Sequence, residues 1–127
     1  MAAAAGPISN RIRSFVMRAG RMTAGQEQGW LQGFPQFGLT VAQGTLDWDR
    51  TFGSPGRRVL EIGFGMGDSL LQMAQAEPEA QFVGIEVHRP GVGRLLSQAL
   101  LMDVVNLRVY AEDAVDVLSQ CVAPASL

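Results

Sequence analysis

Nine residues, Leu60-Glu61-Ile62-Gly63-Phe64-Gly65-Met66-Gly67-Asp68, hold an acid, three glycines at every second position and a second acid. Apolar residues precede the first glycine and a helical pattern follows the last, so the run reads as a strand-to-helix turn. Glycines there let the backbone take positive φ and come close to a ligand. The spacing G-x-G-x-G departs from the dinucleotide fingerprint G-x-G-x-x-G, because Gly67 comes one residue early and Asp68 takes the fingerprint position. Glu61 sits just before the turn, at the end of a buried strand. A carboxylate facing a pyrophosphate would repel it, whereas one facing a cationic amino acid moiety would be paired. The residues therefore favour S-adenosylmethionine over NAD, the plainer alternative being a structural turn with a solvated Glu61.

Two more acids follow apolar runs. Glu86 comes 23 residues after Gly63, where an acid accepts hydrogen bonds from ribose hydroxyls in nucleotide-binding folds of either kind. Asp113 follows a third run and could take the exocyclic amine of adenine; a solvated loop carboxylate explains it equally well alone. Glu61, Glu86 and Asp113 together supply one acid at each of three strand ends, the edge where open α/β sheets bind ligands. His88, the single histidine, is given a local structural or substrate-facing role. One His and one Cys offer no metal-ligand spacing, so no metal is expected.

The elements that must position these acids alternate from residue 57 onward. Val59-Leu60-Glu61-Ile62 is the first strand, and Asp68 or Ser69 caps a helix carrying Leu70, Leu71, Met73 and Ala74 as far as Glu77-Pro78. Phe82 to Glu86 is the second strand. Pro90 opens a helix with Val92, Leu95, Leu96, Ala99 and Leu100 at i, i+3, i+4, i+7 and i+8. Leu107 to Ala111 is the third strand, and a last helix puts Ala114, Val117, Leu118, Cys121 and Val122 on one face, with Cys121 a small core residue. Three strands separated by helices make half of a doubly wound sheet. Residues 57–127 are thus read as the first half of a Rossmann-like domain. Residues 1–56 are read as an amino-terminal arm and cover segment. Within them Met1 to Asn10 has no periodicity, Ile12, Phe15, Val16 and Ala19 fall at helical spacing until Gly20 and Thr23-Ala24-Gly25 interrupt, and Glu27 to Gly56 is an irregular cover whose aromatic residues pack more readily than they stack on bases.

The net charge of -2 announces no nucleic-acid partner, but its distribution is uneven. Through Trp30 four arginines, Arg11, Arg13, Arg18 and Arg21, face one acid for a balance of +3; the remainder has six against eleven, or −5. The arm's arginines could lie on phosphates, stay solvated, or dock on the chain's own carboxylates. A single cysteine excludes an internal disulfide and makes a reducing compartment the simplest reading. No stretch approaches the ~20 apolar residues of a membrane span, and the expected location is cytoplasmic.

These residues resemble the bacterial tRNA (guanine-N7) methyltransferases. Ile12-Arg13-Ser14-Phe15-Val16 with Gly20-Arg21 is similar to that family's amino-terminal segment, LEIGFGMG (Leu60 to Gly67) to its cofactor loop, GIEVHRPGVG (Gly84 to Gly93) to its second strand and turn, and LRVYAEDA (Leu107 to Ala114) to its third strand. The resemblance covers Arg11 to Leu118. It implies a class I S-adenosylmethionine-dependent methyltransferase fold and methylation of guanine N7 in the tRNA variable loop. Glu61, Glu86 and Asp113 become cofactor ligands together with Gly63, Gly65 and Gly67, and the arginine arm is brought toward tRNA. Members of that family continue into a fourth strand and a Pro-Asp-Pro-Trp type motif whose Asp is assigned to the active site. No such run occurs in these 127 residues. The chain is therefore expected to be the amino-terminal portion, inactive alone, with one edge of its first strand unpaired and inclined to associate. A non-catalytic module binding nucleoside or tRNA is the alternative, and the oligomeric state is left open.

Overall fold

The computed structural model describes residues 21–127. Arg11, Arg13, Arg18 and the helical spacing of Ile12 to Ala19 lie outside the described residues. The first described element is a helix, α1, at Ala24–Phe37. Thr23 caps it in a reciprocal box: the Gln26 N–H donates to Thr23 Oγ1 at 3.1 Å, and the Thr23 N–H to Gln26 Oε1 at 2.9 Å. Thr23-Ala24-Gly25, expected to interrupt a helix, instead starts one.

The segment expected to be an irregular cover thus opens with most of a 14-residue helix. Its buried positions are Gly29, Gly33 and Phe37, spaced i, i+4, i+8, so the inward stripe consists mainly of glycine and leaves no hydrophobic period. The glycines are needed for contact with the later helix α4 (Arg89–Leu101). A Cβ at Gly29 would lie 2.2 Å from the Gly93 carbonyl oxygen, and one at Gly33 would lie 2.8 Å from Leu96 Cβ.

Strand β1 is only Gly38–Leu39, followed by a 3₁₀ turn at Val41–Gln43 and helix α2 at Trp48–Phe52. The regular alternation then runs β2 (Arg58–Ile62), α3 (Asp68–Ala76), β3 (Gln81–Ile85), α4, β4 (Leu107–Tyr110) and α5 (Ala114–Gln120). The three expected strands are present, and β1 adds a fourth by pairing in parallel with β4, Gly38 opposite Val109 and Leu39 opposite Tyr110. The sheet order is β1-β4-β3-β2, parallel throughout, which makes the fold α/β and Rossmann-like. Among the described residues β2 has a neighbour on one side only.

Alternation along the strands builds a core on each face. Phe82, Leu107 and Val109 join Phe37, Leu70, Val92, Leu95 and Leu96 under α1, α3 and α4. Val83, Ile85 and Tyr110 turn the other way, onto Leu39, Trp48, Val117 and Cys121. With both faces covered, β3 is buried at all five positions, and from Phe82 onward it reads as a continuous apolar run. Several positions differ from expectation, among them Met73 on α3 and Ile62 at the end of β2, both exposed. Leu118 is exposed on α5 because the helix is short and turns only Val117 inward before Cys121. Gly67, in the left-handed conformation, occupies the N-cap position of α3, so Asp68 starts the helix and pairs with Arg94 at 2.9 Å.

A candidate cofactor edge at the strand carboxyl ends

The turn after β2 is held to β3 before it leaves the sheet: the Gly63 N–H donates to the Ile85 carbonyl at 2.7 Å. Gly63, Gly65 and Gly67 then take φ of 74°, 66° and 86°, the left-handed region that side chains disfavour. At Gly63 and Gly65 the surrounding space is open, so conformation alone demands glycine. Gly67 is also crowded, since a Cβ there would meet Leu95 at 2.8 Å. Phe64 folds inward between them and packs over Gly84 of β3, where a Cβ would lie 2.6 Å from its ring.

Glu86, just past β3, organises this turn. Its Oε1 accepts from the Gly65 N–H at 2.6 Å, and its Oε2 from the Val87 and His88 N–H groups at 3.1 and 3.0 Å. Three backbone donors thus converge on one half-buried carboxylate, joining the glycine loop to the start of α4. His88 is the N-cap residue of α4. Its observed part is this backbone bond, in keeping with the local structural reading.

Glu61 is different. It stands opposite Gly84 in the parallel register, and its Oε1 is buried with no hydrogen-bond partner. A carboxylate oxygen in that condition is costly unless something donates to it. Glu61, Gly63, Gly65, Gly67 and Glu86 therefore gather around the exits of β2 and β3. Asp113 lies at the exit of β4, the next strand over, and caps α5 by accepting from the Val115 N–H at 2.7 Å. Its neighbour Glu112, unremarked in the sequence, accepts from the Val41 N–H at 2.7 Å and ties the exit of β1 to that of β4.

On the outer side of the loop a cleft of about 470 Å³ is lined by Thr23, Gln26, Met66, Asp68, Arg94 and Ser97, among others. Arg21, exposed, lies two residues before Thr23 of its rim. Sequence reasoning missed the part of α1 in this region: the Trp30 indole N–H donates to the Arg89 carbonyl at 3.0 Å, and the Arg89 guanidinium lies 4.2 Å from the centre of the Trp30 ring. The spacing Gly29-x-x-x-Gly33 was the available signal, a small-residue stripe in place of an apolar one.

Cys121 is buried, and burial pushes its thiol above the ordinary range, which fits the core role. No group of three or more His, Cys, Asp or Glu among the described residues is arranged to hold a metal ion, and no described helix is long and apolar enough to cross a membrane.

Comparison with known proteins gives concordant results. A family model described as "Putative methyltransferase" matches residues 56–127. The tRNA (guanine-N(7)-)-methyltransferase of Pseudomonas fluorescens (strain Pf0-1) is 58% identical over 117 residues, 92% of this chain and 48% of that protein. The proteins of the same name from Pseudomonas entomophila and Stutzerimonas stutzeri are 59% and 57% identical, over 92% and 91% of this chain and 49% of each relative. The chain thus spans about half the length of these relatives. A solved structure, that of EvdMO1, aligns with a TM-score of 0.40 and 15% identity, over 88% of this chain and 26% of its own, too low to carry an argument. The resemblance read from LEIGFGMG and GIEVHRPGVG is borne out, and with more than half its length matched by the family model, the chain belongs to that methyltransferase family.

Proposed function

We propose that this chain supplies the S-adenosylmethionine-binding half of an enzyme that methylates guanine N7 in the variable loop of tRNA. The observation that carries the cofactor reading is Glu61, whose buried Oε1 lacks a donor at the edge where three left-handed glycines open the backbone. The relatives' name supports the choice of tRNA as substrate. When bound, the cofactor would supply a methyl group carried on a sulfonium sulfur, to which the ring nitrogen would donate its lone pair as the carbon–sulfur bond breaks and its electrons return to sulfur.

The residues fit that group. Glu61 meets the ammonium of its amino acid moiety, a donor that would satisfy the orphaned oxygen and neutralise its charge. Gly63, Gly65 and Gly67 keep the turn free of side chains where the cofactor approaches. Glu86 takes a ribose hydroxyl. Because three backbone N–H groups already occupy about three of its four acceptor positions, it has room for one hydroxyl without releasing the loop, where the sequence reading gave it both. Asp113 has one oxygen engaged in capping, and its other takes the adenine amine. Arg11, Arg13, Arg18 and Arg21 are assigned to tRNA phosphates on the strength of the family resemblance, and the active-site Asp of its Pro-Asp-Pro-Trp type motif is not among these 127 residues.

Titration of the chain with S-adenosylhomocysteine, beside NAD and a Glu61→Gln variant, tests this reading. Saturable binding is expected, weakened about tenfold to a hundredfold in Glu61→Gln, the range of one hydrogen bond to a charged group. The ligand-free variant should be at least as stable as the parent, since the buried oxygen then belongs to a neutral amide and no longer to a carboxylate without a donor. Equal affinity in the variant, or preference for NAD, would sink the assignment. Glu61 is the better target than Glu86, whose removal would release three backbone N–H groups along with any ligand.

A further inference from the structure

Gly65 is held on both sides. Its N–H is bound by Glu86, and its carbonyl oxygen rests against Gly91 so closely that a Cβ on Gly91 would lie 1.9 Å away. The first turn of α4 is therefore the wall on which the glycine loop sits. That wall is braced from outside the sheet by α1. Trp30 donates its indole N–H to the carbonyl of Arg89, the first residue of α4, and Arg89 returns over the Trp30 ring. Phe34 stacks on Trp30 with ring centres 5.1 Å apart, and Gly93 leaves room for the Gln26 carbonyl and for Trp30 Cδ1 at 2.5 and 3.0 Å from the position of a Cβ. These contacts form a continuous chain from α1 through Arg89 and Gly91 to Gly65.

We propose that Trp30 is a positioning residue for the cofactor loop: its bond to the Arg89 carbonyl sets the first turn of α4, and that turn sets the Gly65 peptide. Its role is carried by Arg89 and Gly91. The inference rests on the reading of the loop as a cofactor seat. It assigns a function to part of the amino-terminal segment that simple covering would not require.

The test uses the full chain with Trp30→Phe, which keeps an aromatic ring and removes the N–H donor, and Leu31→Ala, an exposed neighbour on the same helix, as control. Amide hydrogen exchange is read at Gly65 as a ratio to Phe82 in the central strand β3. Phe82 reports global unfolding and Gly65 the opening of the loop, so a general loss of stability lowers the ratio or leaves it unchanged, and only a loosened loop raises it. In Trp30→Phe the ratio is expected to rise about tenfold, the equivalent of one neutral hydrogen bond, with S-adenosylhomocysteine affinity falling in step and Leu31→Ala unchanged in both. An unchanged exchange rate at Gly65 overturns the proposal. So does a raised ratio with unaltered affinity. A raised ratio in a chain whose parent binds no S-adenosylhomocysteine overturns the cofactor reading and leaves the structural relay standing, which separates the two failures.

Discussion

Gly29→Ala separates helix propensity from helix packing, because the two predict opposite signs. Alanine is the better helix former by about 1 kcal/mol in a helix interior, and Gly29 lies well inside α1. The new methyl would be placed 2.2 Å from the Gly93 carbonyl oxygen and 2.9 Å from the Ser97 nitrogen. Both obstacles are backbone of α4, so no side chain can swing aside; α1 and α4 must part by most of an ångström or the methyl must distort its own helix. Forcing a methyl into a filled interface costs about 1–3 kcal/mol, and rigid neighbours place this case at the upper end. After the propensity gain the expected net loss is about 2 kcal/mol. In a chain of this size that lowers the melting midpoint by roughly 8 °C. Urea and thermal unfolding would measure it against Gly25→Ala, whose methyl meets nothing closer than Thr23 Oγ1 at 4.0 Å. Gly25→Ala should be neutral or slightly stabilising. If Gly29→Ala is as stable as the parent, the close contact between α1 and α4 is wrong, and the relay through Trp30 loses its foundation.

Asn106 is buried and donates through Nδ2 to the carbonyls of Ala74, Glu77 and Ala80 at 3.0, 2.9 and 3.1 Å, closing the end of α3 onto the sheet. Asn106→Ala should cost about 2–3 kcal/mol in urea unfolding by stripping donors from buried acceptors; Asn106→Asp should cost more near neutral pH and recover partly in acid, where protonation restores a donor. Burial, with Cys121 and Glu112 beside it, raises the Tyr110 hydroxyl above its ordinary value of 10.0. For a group raised in the folded state, stability is fully present below the unfolded value and is lost as pH climbs toward the folded one. Unfolding free energy should therefore fall above about pH 10 by up to about 1.4 kcal/mol per pH unit for this group. Tyr110→Phe should remove that share of the slope, and a slope unaltered by the substitution would refute the assignment.

The part of the fold most legible in the sequence was the part whose signal is hydrophobic. β3 and α4 bury apolar side chains at the expected period, and β2, α3 and β4 fall within a residue or two of their readings. The glycine turn was legible for a different reason, since three left-handed positions at alternate residues leave only glycine as an easy choice. α1 was hidden because its buried stripe is Gly29 and Gly33, which contribute nothing to an apolar period and ordinarily count against a helix. β1 was hidden by its length: two residues paired to β4 have no alternation to detect. Hydrogen-bond roles were less visible still. Nothing in the types of Glu86 and Asp113 says that one would gather three backbone N–H groups and the other would cap α5.

That last point changes the weight given to each acid at the strand ends. In the sequence the three were read as a set, each lending support to the others. In the fold Glu86 and Asp113 both have structural work that would keep them in place in an α/β domain binding nothing at all. A backbone N–H donating to a carboxylate is enough to hold each one. Glu61 has no such occupation: its register opposite Gly84 brings it beside the loop, yet the structure gives its buried oxygen no donor. A buried carboxylate oxygen without a donor costs stability, and a cation arriving from outside the chain would offset that cost. The decision between a bound cationic cofactor and a merely structural turn therefore falls on Glu61, and on whether its replacement by glutamine weakens binding while leaving the ligand-free fold at least as stable.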